Sequence, residues 1–375
     1  MHETPRFIQD HAQLKDACDI WLNLDSIGLD TEFERTRTYY SRHALVQICD
    51  GEHVFLIDPL SIDEFAPLAE LLRCPRVVKV MHASEGDIEI LEQLTGISPE
   101  PVFDTQTAAA FAGHGYSLGY RKLVEILLGD ELDKGETRSD WMKRPLSEAQ
   151  LAYAVLDVLH LLPMYRLLQS ALSDLGRSDW LREEIHRTQK RRSIDRDPRR
   201  AYLRIRQARR LAPTELGTLR ELAAWREVEA RDRDLPRQMV IKDASLVAIS
   251  AMGPRNAENL ADVPELSPGS AKRYARSLLE LVEQSLASDS GPPPLSSPSI
   301  DRRHAPWLKT LKDMVKKEAD ALKIPAPLLA QARILEELVA AAAIGASTLP
   351  EEFEGWRKPV IGERLLSELH RMCGS

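Results

Sequence analysis

Two acidic side chains near the amino terminus, Asp30 and Glu32, are spaced for joint chemistry. They lie in the run GLDTEF, residues 28–33, which we expect to form a strand. Alternate residues of a strand project from the same face, so both carboxylates point the same way. Two adjacent anions repel unless a cation neutralises them, and Mg²⁺ or Mn²⁺ prefers such hard oxygen ligands. The alternative is an acidic pair on an exposed edge strand, where it discourages aggregation.

Three other polar residues stand where a helix would present them. Asp87 falls in the first turn of a helix predicted to begin near Ser84, where the helix dipole favours a carboxylate. Tyr153 and Asp157 are four residues apart in an apolar helix and so share one face. Taken singly, each has an ordinary structural explanation: a capping acid, and a polar pair at the rim of a core.

These side chains need a scaffold, and residues 1 to about 175 have the pattern of an α/β domain, with short apolar runs alternating with amphipathic segments. Predicted strands cover 26–35, 44–50, 53–58 and 77–82, and predicted helices cover 11–24, 64–73, 84–94, 104–112, 117–128 and 147–172. Asp50-Gly51 predicts a hairpin between the second and third strands, which makes the sheet mixed. Ser117 and Gly129 are predicted to bound one helix, and Ser147 to cap another.

The second half of the chain is predicted to be entirely helical, because Leu, Ala, Glu and Arg recur at helical spacing beyond Gly176. Residues 288–299 read SDSGPPPLSSPS, which is too rich in Pro, Ser and Gly to pack. The predicted organisation is therefore an α/β domain at residues 1–190 and a first helical domain at 210–288. A linker at 289–303 and a second helical domain at 304–375 follow.

Composition sets outer limits on function. A chain of 375 residues, 43% hydrophobic and 29% charged, can bury more than one core. Fifty Lys and Arg against 58 Asp and Glu give a charge of -8, which argues against coating nucleic acid by bulk charge. The four cysteines form no CxxC pair, so we expect neither a thiolate zinc site nor disulfides, and a reducing cytoplasm. No signal or spanning pattern is recognised, so export and membrane insertion are not expected.

Taken in order, Asp30-x-Glu32, Asp87 and Tyr153-x3-Asp157 resemble the DEDD superfamily of 3'-to-5' exonucleases, in the subgroup with Tyr in its third motif. Longer runs narrow the resemblance to the ribonuclease D family: LDTEF at 29–33, KVMHA at 79–83, FDTQ at 103–106, SDW-x2-RPL at 139–146 and YA-x2-DV at 153–158. The two helical regions resemble HRDC domains by outline and order. The resemblance spans nearly the whole chain and implies an RNase H-like α/β exonuclease domain with a mixed sheet, followed by two all-α HRDC-like domains.

The activity implied by this resemblance is a metal-dependent 3'-to-5' exoribonuclease that releases nucleoside 5'-monophosphates, in tRNA 3'-end maturation and stable RNA trimming. Two divalent ions, Mg²⁺ or Mn²⁺, about 3.5 to 4 Å apart would serve phosphodiester hydrolysis. By resemblance, Asp30, Glu32 and Asp157 surround the ion that activates water, Asp30 and Asp87 support the ion at the leaving group, and Tyr153 orients the water. The expected partner is RNA, as tRNA precursors or single-stranded 3' ends, for a cytoplasmic monomer without membrane contact.

Two other functions stay open at this point. A DNA-directed 3'-to-5' exonuclease of the same superfamily is possible, because the motifs specify phosphodiester chemistry and leave the sugar undetermined. A catalytically silent nucleic-acid-binding adaptor would have lost a carboxylate, and all four are present here.

Several polar residues outside these motifs have competing interpretations. Asp104 is expected to be a helix N-cap rather than a fifth ligand, and His82 a backbone-bonded structural residue. Trp141, Lys143 and Arg144 either lie near the RNA or, for Trp141, anchor packing. Residues 187–210 contain eleven Lys or Arg and two acids, a local charge of +9. Such a run is usually a solvated connector, but phosphate contact is favoured between a nuclease and nucleic-acid-binding modules.

Overall fold

The computed structural model describes residues 4–132, 139–288, 291–293, 295, 301–346 and 348–373, and the chain divides into two compact units. Unit 1 comprises Met1–Glu34, Ser41–His186 and Ile300–Ser375, and unit 2 comprises Arg35–Tyr40 and Arg187–Ser299. The first helical region expected from the sequence thus falls in unit 2 and the second in unit 1. The four predicted domain boundaries stay predictions, and much of the predicted linker lies outside the described residues.

The sheet at the centre of unit 1 is mixed, as predicted, and has six strands rather than the four predicted ones, in the order β1-β4-β3-β2-β5-β6. The β2–β3 and β3–β4 pairs are antiparallel, and the β1–β4, β2–β5 and β5–β6 pairs are parallel. The predicted hairpin joins β3 to β4, where the Asp50 N–H donates to the His53 carbonyl at 3.1 Å. The outer strands β1 and β6 have three residues each, too few to show a periodicity. The bounds are β1 (Arg6–Ile8), β2 (Ser26–Glu34), β3 (Arg42–Cys49), β4 (Val54–Ile57), β5 (Val78–Met81) and β6 (Val102–Asp104).

Helices cover both faces of this sheet, each with its own hydrophobic core. Successive residues of β3 divide between the two: Val46 packs in the core shared with α1, α2 and α3, and Leu45 packs in the other core, to which α4 to α7 contribute. The bounds are α1 (His11–Trp21), α2 (Ala66–Arg73), α3 (Glu85–Thr95), α4 (Thr105–Phe111), α5 (Tyr120–Leu128), α6 (Glu148–Leu159), α7 (Leu161–Asp174) and α8 (Ser178–Asp195).

Helix ends follow the sequence signals in most places. Ser147 caps α6 in a reciprocal pair with Gln150, and Gly129 ends α5 with a φ of 78°. The prediction that Ser117 caps α5 is wrong: Ser117 has a φ of 52°, whereas an N-cap needs extended backbone, which Gly119 supplies. The single predicted helix over 147–172 is two helices, α6 and α7, which meet at His160.

The apolar stretch Glu148–Asp174 is long and apolar enough to cross a membrane by length and composition alone. In the structure Val158, Met164 and Leu168 of this stretch are buried in the core on one face of the sheet. We therefore interpret it as core helix.

The C-terminal segment of unit 1 shares the core that contains α4 to α7. Trp356 stacks on Trp180 with ring centroids 4.6 Å apart and meets Phe111 edge-on. Arg177 donates to the carbonyls of Phe111 and Leu322 at 2.6 and 2.7 Å. These contacts make the segment part of the same folded body as the sheet. Its helices are α14 (Ala305–Leu322), α15 (Ala326–Leu329), α16 (Ala332–Ala343) and α17 (Glu363–Cys373).

Unit 2 is helical in its described residues and has a separate core. A buried carboxylate, Glu227, forms an ion pair with Arg237 at 2.5 Å and accepts a hydrogen bond from Tyr39. Burial would disfavour this charge, but its arginine partners hold the pKa of Glu227 at about 2. The helices are α9 (Pro213–Asp232), α10 (Arg237–Val240), α11 (Asp243–Met252), α12 (Ala257–Ala261) and α13 (Pro268–Ala287).

Candidate active site

Three of the four predicted carboxylates converge beside the central strand. Asp30 and Glu32 project from β2, and Asp157 projects from the last turn of α6. One carboxylate oxygen from each lies within 4.8 Å of the other two, and all three side chains are partly buried. Strand alternation, expected from the sequence, accounts for the first two. The third reaches them because α6 crosses the sheet at this strand.

Gly28 permits this close approach of helix and strand. It lies two residues before Asp30 and so on the same face. A Cβ at Gly28 would come within 3.2 Å of both the Val158 carbonyl oxygen and the Leu161 Cβ, at the junction of α6 and α7. The absence of a side chain therefore lets the end of α6, with Asp157, settle against β2. A glycine two residues before Asp30 in a strand can indicate close approach of another element, and the motifs alone do not point to it.

The junction of α6 and α7 is shaped by Tyr120, a residue that sequence reasoning missed. Its hydroxyl donates to the Leu156 carbonyl at 2.8 Å and accepts from the His160 N–H at 3.3 Å. In a continuous helix that N–H would bond directly to the Leu156 carbonyl. The inserted hydroxyl thus interrupts the helix three residues after Asp157, a recognised cause of helix kinks.

Asp87, the fourth carboxylate, occupies the first turn of α3 as predicted and is buried, 8% exposed. Within the described residues it is not part of the three-carboxylate set. Instead its Oδ1 accepts a hydrogen bond of 2.6 Å from the hydroxyl of Thr31, which is also buried. Repulsion from Asp87 nevertheless contributes to raising the pKa values of Asp30, Glu32 and Asp157.

Tyr153 and Asp157 lie on the same partly buried side of α6, as the four-residue spacing predicts. Its hydroxyl hydrogen-bonds to Asp157. Burial, and to a lesser extent the nearby carboxylates, raises the pKa of the phenol well above its usual range. Tyr153 therefore stays protonated at neutral pH and can act only as a hydrogen-bond donor or acceptor. The indole of Trp141 packs against the Tyr153 ring at 5.9 Å.

Burial raises the pKa of Asp87 and of the three carboxyls in the cluster, and repulsion from nearby carboxylates adds to the rise. Desolvation is the larger cause in each case. The pKa rises to about 8 for Glu32, about 7 for Asp157 and about 6 for Asp87, and the pKa of Asp30 rises well above 3.8. A set of acids with these values is not stable in its fully ionised form without a neighbouring positive charge.

The donor set fits divalent cations. The Oδ2 atom of Asp157 is buried without a hydrogen-bond partner, although a buried carboxylate oxygen normally has one. All candidate ligand atoms in the cluster are carboxylate oxygens, the type that Mg²⁺ and Mn²⁺ prefer over softer metals. Binding of a cation there would satisfy the unpaired oxygen and relieve the repulsion.

Arg144 clamps the segment that leads into α6, and its guanidinium is fully used. Nε and Nη2 donate to the two carboxylate oxygens of Asp58 at 2.8 Å each. Nη2 also donates to the Ala44 carbonyl at 2.6 Å, and Nη1 to the carbonyls of Trp141 and Lys143 at 2.7 and 3.0 Å. These five bonds occupy all five N–H donors, so the guanidinium has none left for RNA. Trp141 is buried, which supports the packing role that the sequence left open.

The Ala44 carbonyl belongs to an irregularity opposite the acidic pair. In the β2–β3 ladder Glu32 pairs with Leu45 and Phe33 pairs with His43, so Ala44 is an extra residue on β3. Such bulges bend a strand and redirect neighbouring side chains, and they recur next to active sites. The Arg144 bond stabilises the carbonyl that the bulge removes from the ladder.

The expectations for two other residues agree with the structure. The Asp104 side chain accepts from the Thr107 N–H at 2.9 Å as the N-cap of α4, and it also accepts from Ser84. The ring nitrogens of His82 bond to the Thr105 hydroxyl and the Leu118 carbonyl, at 2.9 and 3.0 Å. Both side chains are therefore structural.

The basic segment at 187–210 is largely helical and contributes a few apolar side chains to the core of unit 2. It runs through the end of α8 and two 3-10 turns, Pro198–Arg204 and Arg206–Arg210. Tyr202 and Ala208 are buried in the core of unit 2. Most of its Lys and Arg side chains are exposed, so the solvated connector and the RNA contact both stay predictions.

Comparison with known proteins yields two family matches. A family described as 3'-5' exonuclease matches residues 5–173, and the HRDC domain family matches residues 215–282. The first match contains all five motif residues, and the second lies inside unit 2.

Full-length relatives agree with these matches. The chain is 39% identical over 367 residues to ribonuclease D of Pseudomonas paraeruginosa, covering 97% of both chains. It is 36% identical over 366 residues to ribonuclease D of Escherichia coli K12, covering 96% of both. Escherichia coli RNase D is an exoribonuclease involved in structured RNA processing, and its crystal structure superposes on this chain with a TM-score of 0.88. The two sequences are 34% identical, and the match covers 98% of this chain and 99% of that one.

Proposed function

The chain belongs to the ribonuclease D family of 3'-to-5' exoribonucleases, and from that premise we propose that Asp30, Glu32, Asp87, Tyr153 and Asp157 form its catalytic site. The observation that carries the proposal is the convergence of three carboxylates within 4.8 Å at a site that sequence motifs selected independently. We propose Mg²⁺ or Mn²⁺ as the cations and two as their number. Cations held there would supply charge neutralisation at the reacting phosphate and acidification of the attacking water.

The protein's own groups have distinct tasks in this proposal. Asp30, Glu32 and Asp157 collect positive charge at one point beside β2, and Asp87 presents a further carboxylate from α3. Tyr153, protonated at neutral pH, would hydrogen-bond the attacking water and orient it, in exchange for its present bond to Asp157. Its raised pKa makes it a poor general base. Hydrolysis would release nucleoside 5'-monophosphates from the 3' end.

The proposed substrates are tRNA precursors and other stable RNAs with single-stranded 3' ends. Escherichia coli RNase D, the relative of known structure, is involved in structured RNA processing. Unit 2 contains the match to the HRDC domain family, and this match supports RNA contact in unit 2. We further propose that the protein acts in the cytoplasm as a monomer and without membrane contact. The four cysteines include no CxxC pair, which suits a reducing compartment.

The test is a time course with a 5'-labelled tRNA carrying a 3' extension, with Mg²⁺ or Mn²⁺ and with EDTA as control. A ladder that shortens from the 3' end, with 5'-monophosphates as products and no cleavage by Asp30→Asn, is the expected result. Internal cuts, or normal turnover by Asp30→Asn at saturating metal, would contradict the site assignment. A DNA strand of the same sequence tests the preference for RNA, and light scattering tests the oligomeric state.

A further inference from the structure

Thr31 sits between the two acids of β2 but points to the opposite face of the sheet, as strand alternation requires. It is 5% exposed, and its Oγ1 donates to Asp87 Oδ1 at 2.6 Å across a sequence separation of 56 residues. The hydroxyl thus ties the strand that carries Asp30 and Glu32 to the helix that carries Asp87. No motif reasoning assigns Thr31 a task.

The position of Asp87 shows what this bond does. Within the described residues the three-carboxylate set excludes Asp87, so its carboxylate is held apart from the point where the other three converge. The Thr31 hydroxyl engages Oδ1 of Asp87, and the carboxylate also accepts hydrogen bonds from the backbone N–H groups of Thr31 and of Asp87 itself. Without the hydroxyl, Asp87 would keep the backbone bonds but lose the 2.6 Å bond at Oδ1, and its carboxylate could turn toward or away from the cluster.

We propose that Thr31 is a positioning residue that holds Asp87 as a ligand of the second of two divalent cations, an inference that rests on the function proposed above. The first cation would depend on Asp30, Glu32 and Asp157, none of which Thr31 holds through its side chain. Loss of a hydrogen-bonding partner behind a metal ligand typically lowers metal affinity by about ten- to a hundredfold. Loss of the Thr31 hydroxyl should therefore lower the affinity for the second cation and leave the affinity for the first cation unchanged.

The experiment titrates the full-length, metal-free protein with Mn²⁺, following bound and free ion by electron paramagnetic resonance. Thr31→Val replaces the hydroxyl by a methyl group of similar size, and Thr31→Ser restores a hydroxyl. Thr218→Val is the matched control, because Thr218 is a buried threonine of unit 2 whose hydroxyl bonds to Ser285. Thermal unfolding of each metal-free variant checks that it is folded.

We expect wild-type protein and Thr218→Val to bind two Mn²⁺, and Thr31→Val to bind one normally and the second about ten- to a hundredfold more weakly. Thr31→Ser should recover most of the second site. In turnover assays the Thr31→Val defect should diminish as Mn²⁺ is raised, since the second site then fills. Should Thr31→Val fail to fold, Thr31→Ala provides the same comparison.

Three results would overturn the inference. They are two Mn²⁺ bound by Thr31→Val with wild-type affinity, equal weakening of both ions, and one Mn²⁺ bound by the wild type at saturation. The last result would remove the second ion without deciding the proposed function, which the tRNA time course tests separately. Absence of cleavage in that time course, with two Mn²⁺ bound, would instead reject the function and leave the role of Thr31 intact.

Discussion

Replacing Asp157 by Asn should stabilise the metal-free protein while abolishing its cleavage of RNA. The change keeps the size of the side chain and removes one charge from a cluster in which burial and repulsion already disfavour ionisation. Asn also retains a polar group that can bond to the Tyr153 hydroxyl. A gain in stability on this substitution would indicate that the carboxylates of the site repel one another and that the rest of the fold holds them together.

The size of the gain follows from the pKa of Asp157, which the fold raises from 3.8 to about 7. That difference corresponds to about 4 kcal/mol at pH values well above 7. Partial solvent exposure reduces it, so we expect about 1–2 kcal/mol, or a rise in melting temperature of roughly 2–8 °C. An acid with a raised pKa destabilises the fold only when ionised. The gain should therefore be small at pH 4, grow through pH 4–7 and be complete above about pH 8.

The assay is thermal unfolding in EDTA at pH 4.5, 6 and 8, repeated at pH 8 with Mn²⁺. Mn²⁺ should raise the melting temperature of the wild type and have much less effect on Asp157→Asn, whose cleavage should fall by several orders of magnitude. The matched control is Asp313→Asn, an exposed acid on α14, which should shift stability by no more than about 0.5 kcal/mol. A variant no more stable than the wild type at pH 8, or equally stabilised at pH 4.5, would refute the electrostatic argument.

Four other changes have outcomes that follow from contacts already described. Tyr153→Phe should lower single-turnover cleavage by roughly ten- to a thousandfold and leave Mn²⁺ affinity nearly unchanged; equal cleavage would make Tyr153 a packing residue. Gly28→Ala should destabilise the fold by about 1–3 kcal/mol and reduce kcat, measured by urea unfolding and turnover, since its Cβ would meet the α6–α7 junction at 3.2 Å. Arg144→Lys, which cannot form the bidentate pair with Asp58, should lower the free energy of unfolding by roughly 1–3 kcal/mol; unchanged stability would contradict the clamp. A chain ending at residue 299 should lose cooperative unfolding of unit 1 and cleavage together, because the truncation exposes Phe111 and the rest of the shared core; retained activity would contradict this.

The parts of the site that the sequence predicted are those fixed by local geometry. Strand alternation places Asp30 and Glu32 on one face, and helical spacing places Tyr153 beside Asp157, whatever the rest of the chain does. The hairpin at Asp50 is local as well. Their order along the chain then selected the family, which the comparisons confirm.

The parts that could not be predicted depend on contacts between distant segments. Arg144 reaches Asp58 across 86 positions, and a lone arginine in a motif gives no indication of whether it faces RNA or a buried partner. Ser117 has the residue type of an N-cap, but the chain adopts a left-handed turn there and Gly119 caps the helix instead. Likewise, helical periodicity detects the C-terminal helices but not which core they complete.

The shared core of unit 1 has a consequence for how the enzyme is made. Residues 300–375 supply Trp356 and other side chains to the core that contains α4 to α7. These residues are nevertheless synthesised after the whole of unit 2. At about 5–20 residues per second, the ribosome needs roughly 10–40 s between residue 187 and the end of this sequence. During that interval every carboxylate of the cleavage site has been translated while the body that holds them is incomplete. We therefore expect a chain that stops before residue 300 to have an incomplete core in unit 1 and to be inactive, so that it would not degrade the cell's RNA.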